Sequence, residues 1–373
     1  MSWLLPWHRS SRGCSIYPIC VGLSVVFSKN MSGKISIFML VYNGGNFLDH
    51  SIPSVLNQDY QDWELLCVDD ESTDGSAEKL DSYTQRDARI VVYHKPHGGN
   101  VPKSWNYILP KITGDYVMYL SQDDMLGAGA LSKMVAKMTD DVDAVLPQYR
   151  LFDYGSDTIR RENGIDDISE SISGLEAFAL SLKWHIHGFC LYRRSLFEGI
   201  HLDDSIYISD EWMTRKLLLN ARKLAASDAV FLRGNNPQAI TRQSKAYLVE
   251  GLVANRYVLQ LFDEYHLPLQ LKIYWLAMCF RHLRSSREYI ETYSDVWSQE
   301  DAAKVRKIYN GELNALKTTK NILLVLFRKP ISTPKYIRRY CEKGASTKVK
   351  TYVRRILLFR YTSLLHLLKT KSL

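Results

Sequence analysis

The chain has 373 residues, 46% hydrophobic and 24% charged, which excludes a disordered or fibrous chain and leaves room for a sizeable core. Its cysteines (Cys14, Cys20, Cys67, Cys190, Cys279 and Cys341) never fall at a C-x-x-C spacing, which argues against a zinc or thioredoxin-type motif and suits a reducing compartment. The net charge of +8 is uneven: residues 315–373 hold 15 Lys/Arg against Glu342 alone, a local +14, so the other 314 residues carry −6. A nucleic-acid binder would spread bases among aromatics over its folded core, so nucleic acid is not an expected partner.

In chain order, residues 1–32 look foreign to the rest of the chain. The apolar run Cys14 to Phe27 is 14 residues long, is broken by Pro18, and falls short of the ~20 residues a spanning helix needs. Basic residues precede it as in a signal peptide, but no A-x-A site comes after it. Met31 abuts the first strand, and the expectation is that it is the native start, with 1–32 a non-native or disordered extension.

From Lys34, apolar runs alternate with helical patterns. Strands are expected at Ile35–Val41, Trp63–Val68, Ile90–Tyr93, Tyr116–Leu120 and from Ala144. Helices are expected at Phe47–Gln58 (with Pro53 near its first turn), Ser76–Arg86, Pro102–Lys111 and Ala128–Met138. Strands joined by such helices build βαβ units, hence an α/β domain over 33–240 with a mostly parallel sheet flanked by helices. Residues 241–330 read as a helical extension whose aromatics (Tyr257, Phe262, Tyr274, Trp275, Phe280) form core. Residues 331–373 read as a basic amphipathic tail, in which Arg354, Arg355 and Arg360 oppose Ile356, Leu357, Leu364 and Leu365 as in an interfacial helix on an anionic membrane.

Ligands of parallel α/β sheets lie beyond the carboxyl ends of the strands. The first strand ends in Val41-Tyr42-Asn43-Gly44, the second in Val68-Asp69-Asp70-Glu71-Ser72-Thr73-Asp74-Gly75, and the fourth in Ser121-Gln122-Asp123-Asp124. Carboxylates brought to one edge repel and call for a cation or hydrogen-bond donors. Hard oxygens at Asp123 and Asp124 suit Mg2+ or Mn2+ carrying a diphosphate, although either residue alone also suits a turn. Asp74 reads as a turn residue, Asp69 as an acceptor for a base N–H, and Tyr42 as a ring that stacks on the base or packs at the edge.

These three segments, in this order and spacing, resemble the family 2 inverting glycosyltransferases of the GT-A (Rossmann-like) fold, over roughly Lys34 to Arg242. The resemblance implies nucleotide-sugar contacts at Tyr42, Asn43, Asp69, Asp70 and Asp123, and a metal ligand at Asp124, which closes a DXD-like motif. It implies a general base at Asp210, in Ile208-Ser209-Asp210-Glu211-Trp212; the same residue also reads as a helix cap. It implies Mn2+ or Mg2+ as cofactor, a UDP- or dTDP-sugar as donor, and a glycan or lipid-linked glycan acceptor in capsule, O-antigen or exopolysaccharide assembly. The expected location is cytoplasmic, peripheral on the inner face of the plasma membrane.

Two departures stand out: Ser121 replaces a common third acid, and Trp105 stands where the family often has Arg, with Lys103 a substitute. His185 and His187 suit loop packing or acceptor contact, and Arg193 and Arg194 an acceptor phosphate or a solvated face. The alternatives left open are a non-catalytic sugar-nucleotide binder and a nucleotidyltransferase, though the first strand's loop lacks the bases the latter uses.

Overall fold

The structure, a computed structural model, describes residues 32–161, 171–237, 239, 242–318 and 321. The expectations for residues 1–31 and for the tail 331–373 lie outside the described residues.

Strand β1 (Ile35–Val41) is almost wholly buried because helices cover both faces of the sheet. It pairs in parallel with β2 (Trp63–Asp69) on one side and β4 (Tyr116–Tyr119) on the other, and β3 (Ile90–His94) extends the parallel array beyond β2. The crossovers are α1 (Leu48–Leu56), α2 (Ser76–Thr84) and α3 (Val101–Ile108). Pro53 falls in the interior of α1 rather than in its first turn, because Gly45–Phe47 form a separate 3-10 turn ahead of the helix. Helix α3 starts where expected: the Asn100 side chain accepts the Lys103 N–H at 2.9 Å, and Pro102 occupies the first turn. The register sets Val41 opposite Asp69, so the tips of β1 and β2 end level, while β4 ends at Tyr119 opposite Phe38 and the chain runs on through Leu120 and Ser121 toward the same edge.

The second half is mixed. After the short β5 (Met125–Leu126) and α4 (Ala130–Val135) come β6 (Ala144–Asp153), β7 (Thr158–Arg161), β8 (Ile172–Ser173), α5 (Gly174–Ser181), β9 (Leu191–Arg193), α6 (Asp210–Asn220) and β10 (Lys223–Gly234). The sheet order is β3-β2-β1-β4-β9-β6-β10-β5. The parallel half meets the rest through β9, which runs antiparallel to both β4 and β6. Strand β6 outruns the short strand read from sequence because it has partners along its length: β9, β10 and β7.

Helices α7 (Gly251–Glu264), α8 (Leu269–Tyr293) and α9 (Gln299–Leu316) close the described chain. Phe178 of α5 meets Phe262 of α7 edge-on at 5.4 Å, Trp275 Nε1 donates to the Asn255 carbonyl at 3.0 Å, and Arg256 pairs with Glu312 at 2.9 Å. Phe262, Trp275 and Phe280 are buried, so these aromatics are core as expected. Among the described residues no helix is long and apolar enough to cross a membrane. Cys67, Cys190 and Cys279 are buried and free, and burial pushes the Cys67 thiol up to about 12, so it is inert as a nucleophile.

At the end of the sheet away from the strand tips, buried Asp143 ties three strands together. Its carboxylate accepts from Arg222 Nε at 2.9 Å, Arg222 Nη2 at 2.7 Å, the Arg222 backbone N–H at 2.8 Å and Arg193 Nε at 3.1 Å. Burial raises its pKa, but the Arg222 hydrogen bonds more than offset this and hold it below the usual carboxylate range. That stabilisation is present at neutral pH and is lost as pH falls through the lowered value. Asp143→Ala leaves two guanidinium groups without their shared anion and is expected to cost about 3 kcal/mol in urea denaturation at pH 7, with the difference from wild type shrinking toward pH 3.

Candidate active site

The strand tips bring the expected residues to one edge in two adjoining groups. The first is built from β1, β2 and β3. Asn43 and Glu71 both sit in left-handed backbone (φ 49 and 63), which turns the chain sharply at each tip. The Asn43 side chain accepts the Thr73 N–H at 2.8 Å, and its own N–H donates to Ser72 Oγ at 2.9 Å, so Asn43 staples the two loops together. Asp74 makes the expected turn: its Oδ1 accepts from Ser76 N at 3.1 Å and Ser76 Oγ at 2.5 Å.

Asp69 is buried. Its oxygens face His94 Nδ1 at 3.0 Å and the Ser72 N–H at 3.2 Å, and His94 Nε2 reaches Asp81 at 3.0 Å. The hydrogen bonds to Asp69 and then Asp81 raise the His94 pKa. Asp70 is also buried; it pairs with Lys95, accepts the Gly98 N–H at 2.9 Å and meets His97 Nδ1 at 2.9 Å. The Tyr42 ring is 47% exposed and stacks on His97 at 4.6 Å. A half-open aromatic ring therefore stands beside two carboxylates and three donors.

Gln122 couples this group to the second. Its side-chain oxygen accepts the Tyr42 N–H at 2.9 Å and its amide donates to the Tyr42 carbonyl at 3.2 Å, which continues the β1–β4 ladder beyond the strands. Asp123 and Asp124 come next. Asp123 accepts from Ser121 Oγ at 2.8 Å and Asn236 Nδ2 at 2.9 Å, and Asp124 accepts the Gly234 N–H at 2.9 Å. Ser121 thus supplies a donor to Asp123 where a third acid would add repulsion. The end of β10 clamps this motif so closely that a Cβ at Gly234 would lie 1.9 Å from the Asp123 carbonyl oxygen. Only glycine permits that approach.

Asp210 joins from α6. Ser209 occupies the cap position without a side-chain hydrogen bond, and Asp210 is the first residue of the helix, so the cap reading gives way to a first-turn acid. Asp210 is exposed to water at its surface, with protein packed around it. Loss of surrounding solvent, then the charge of Glu211, pushes it up to about 6, against the opposing pull of the first-turn N–H groups and Arg215. Burial, followed by the charges of Asp124, Asp123 and Asp210, drives the Tyr119 hydroxyl far above its usual range, while Ser121 opposes. The three carboxylates therefore lie near enough to one phenol for their charges to act on it.

Some residues carry other duties. Trp105 is core, edge-on to Phe38 at 4.3 Å, and Lys103 Nζ donates to the Gly98 carbonyl at 2.9 Å, which ties the loop after β3. Arg193 braces Asp143, so it is committed to the fold and not to an acceptor phosphate. His187 packs edge-on to Tyr149 at 4.8 Å. Lys95 and Gly234 carry no motif and were missed. Lys95 directly follows β3, but a lone lysine at a strand end carries no local pattern, and its role shows only in its pairing with Asp70.

Among the described residues no three His, Cys, Asp or Glu side chains converge to cage a metal. Asp123, half-buried, and Asp124, buried, instead offer adjacent hard oxygens just beyond the β4 tip. That fits Mg2+ or Mn2+, which commonly take one or two carboxylates and complete their shell with substrate phosphates and water.

Residues 36–200 match the sequence family described as Glycosyl transferase family 2. The glycosyltransferase GlyG of Streptococcus pneumoniae is 26% identical over 224 residues, 57% of this chain and 74% of GlyG. The putative teichuronic acid biosynthesis glycosyltransferase TuaG of Bacillus subtilis is 31% identical over 111 residues, 30% of this chain and 44% of TuaG, so the chain spans less than half of that relative. In structure, S. aureus TarS 1–349 in complex with UDP superimposes with a TM-score of 0.57 at 16% identity, covering 89% of each chain, a likeness of fold. The strand tips, the acid cluster and these matches agree: the protein is a glycosyltransferase of the GT-A fold, with a family 2 domain at residues 36–200.

Proposed function

We propose that the enzyme transfers a sugar, with inversion, from a UDP- or dTDP-sugar to a hydroxyl of a glycan or lipid-linked glycan acceptor during surface polysaccharide assembly. The observation that carries the mechanism is Asp210: an exposed carboxylate, pushed up to about 6, whose charge acts on Tyr119 together with those of Asp123 and Asp124. A base with a pKa near the working pH combines the deprotonated form with useful proton affinity. Asp210 takes the proton as the acceptor oxygen attacks the anomeric carbon, and one in-line displacement inverts the configuration. Asp210 is also held by its helix N-terminus, which favours the ionised form once the site is filled.

The donor base is read at the first group. The imide edge of uracil or thymine presents acceptor, donor, acceptor; the Asp69 and Asp70 carboxylates, flanked by Lys95, His97 and the Gly98 N–H, offer the complement. The Tyr42 ring gives a stacking face, and Asn43 fixes the loop that presents it. Asp124 would ligate Mn2+ or Mg2+, with Asp123 toward ribose and diphosphate. When bound, the cation neutralises charge on the departing nucleoside diphosphate. Asp123 and Asp124 keep their geometry without it, through Ser121, Asn236 and Gly234. The polysaccharide role draws on TuaG and its named pathway. The +14 carried by residues 315–373 supports work at the anionic inner face of the plasma membrane.

Thermal-shift titration is expected to show that UDP and dTDP stabilise the protein more than ADP or GDP, and that Lys95→Ala abolishes this preference; equal stabilisation by all four would refute the base assignment. Asp210→Asn is expected to cut kcat by about 10²–10⁴-fold while UDP affinity stays within twofold. The wild-type kcat/KM should fall about tenfold per pH unit below about 6, as the base is protonated. Asp124→Asn should abolish the extra stabilisation that Mn2+ gives the UDP complex, read by calorimetry; Mn2+ enhancement as in wild type would remove Asp124 from the ligand set.

A further inference from the structure

We propose that Trp184 is a stacking platform for a second pyranose ring of the acceptor, next to the ring whose hydroxyl meets Asp210. The inference rests on the proposed transfer reaction and adds that the acceptor is at least a disaccharide. Trp184 is 47% exposed, a large apolar surface to leave in water, and its backbone is left-handed at φ 59. A bulky residue in that region is strained and persists only where its surroundings hold it.

Here the holder is Arg215. Its guanidinium lies 5.3 Å from the Trp184 ring centroid and 5.1 Å from that of Trp275, and the side chain is 2% exposed. Arg215 is fixed by the Glu211 carboxylate, by the Glu211 carbonyl at 2.8 Å and by the Ser181 carbonyl at 3.2 Å. One indole face is thus backed by a rigid cation, the His187 ring lies tilted at 6.1 Å, and nearly half of the residue's surface is open to water.

The position relates this surface to the chemistry. Arg215 follows Asp210 on α6 by five residues, roughly 7.5 Å along the axis and about 140° around it, so the helix alone does not join the indole to the acid and the link runs through residues 184–189. Gly188 lies against the same stretch of α6: a Cβ there would be 2.5 Å from Thr214 Oγ1. One residue further on, Phe189 stacks on Tyr119 at 6.0 Å, within reach of the three acids. Residues 184–189 therefore lead from the exposed indole to the acid cluster. A pyranose has an apolar C–H face and a polar rim, and a rigid Trp recognises such a face at little entropic cost.

The test titrates the full chain with methyl glycosides and with cellobiose, chitobiose, lactose and maltose, each with and without UDP, reading tryptophan emission and calorimetric heat. At least one disaccharide is expected to bind at least tenfold more tightly than its monosaccharide. Trp184→Ser should weaken that disaccharide at least tenfold and leave UDP affinity within twofold, whereas Trp184→Phe should stay within threefold of wild type. UDP binding by Trp184→Ser reports that the variant is folded, and Trp184→Phe keeps the test valid if it is not. Disaccharide binding that ignores Trp184, or no disaccharide binding by wild type, overturns the platform. Failure of UDP to bind wild type sinks the donor reading instead, and the UDP-free titrations still decide the platform.

Discussion

Concentrated negative charge at one sheet edge is the constraint that the rest of the molecule answers. Asp69, Asp70, Asp123, Asp124 and Asp210 gather there, and each is held by a separate donor. His94 and the Ser72 N–H hold Asp69; Lys95, His97 and the Gly98 N–H hold Asp70; Ser121 and Asn236 hold Asp123; Gly234 holds Asp124. Asp210 has first-turn N–H groups and Arg215 to oppose desolvation and the charge of Glu211, and these fall short, so its pKa rises. Carboxylates with saturated partners position; the one left short of partners is free to exchange a proton.

The sheet makes this possible through its strand tips. Parallel pairing of β1 with β2 and β4 fixes Val41 beside Asp69 and Phe38 beside Tyr119, and Gln122 continues the ladder to Tyr42. The mixed half contributes differently. Antiparallel β9 carries Phe189 and the preceding loop to Tyr119, and β10 ends in the glycine that locks Asp123-Asp124. The first acid group thus comes from the parallel half, whereas Asp123 and Asp124 are also held from beyond β6, by Asn236 and Gly234, and Asp210 comes from the start of α6.

Much of this was legible before the fold was known. Apolar runs of strand length, helical spacing between them and acids directly after them are local signals, and they placed Tyr42, Asn43, Asp69, Asp70, Asp123 and Asp124 on one edge. Lys95 was not legible in this way because a lone lysine after a strand carries no pattern; its meaning comes from Asp70 across the gap between β2 and β3. Gly234 was hidden for a related reason, since its requirement is set by an approach of 1.9 Å to a residue 111 positions earlier. Arg193 was read as a ligand for an acceptor phosphate or as part of a solvated face, because nothing local reveals that Asp143 claims it.

The sequence by itself determined the α/β alternation, the acidic strand ends and the family likeness, because these depend on side-chain order along a few residues. The tertiary structure decided which acids are satisfied and which is left to titrate, why Trp105 is core while Trp184 faces water, and how the glycine ending β10 closes over the Asp123-Asp124 turn. Desolvation and hydrogen-bond partnership come from neighbours distant in the chain, and no local pattern of residues encodes them.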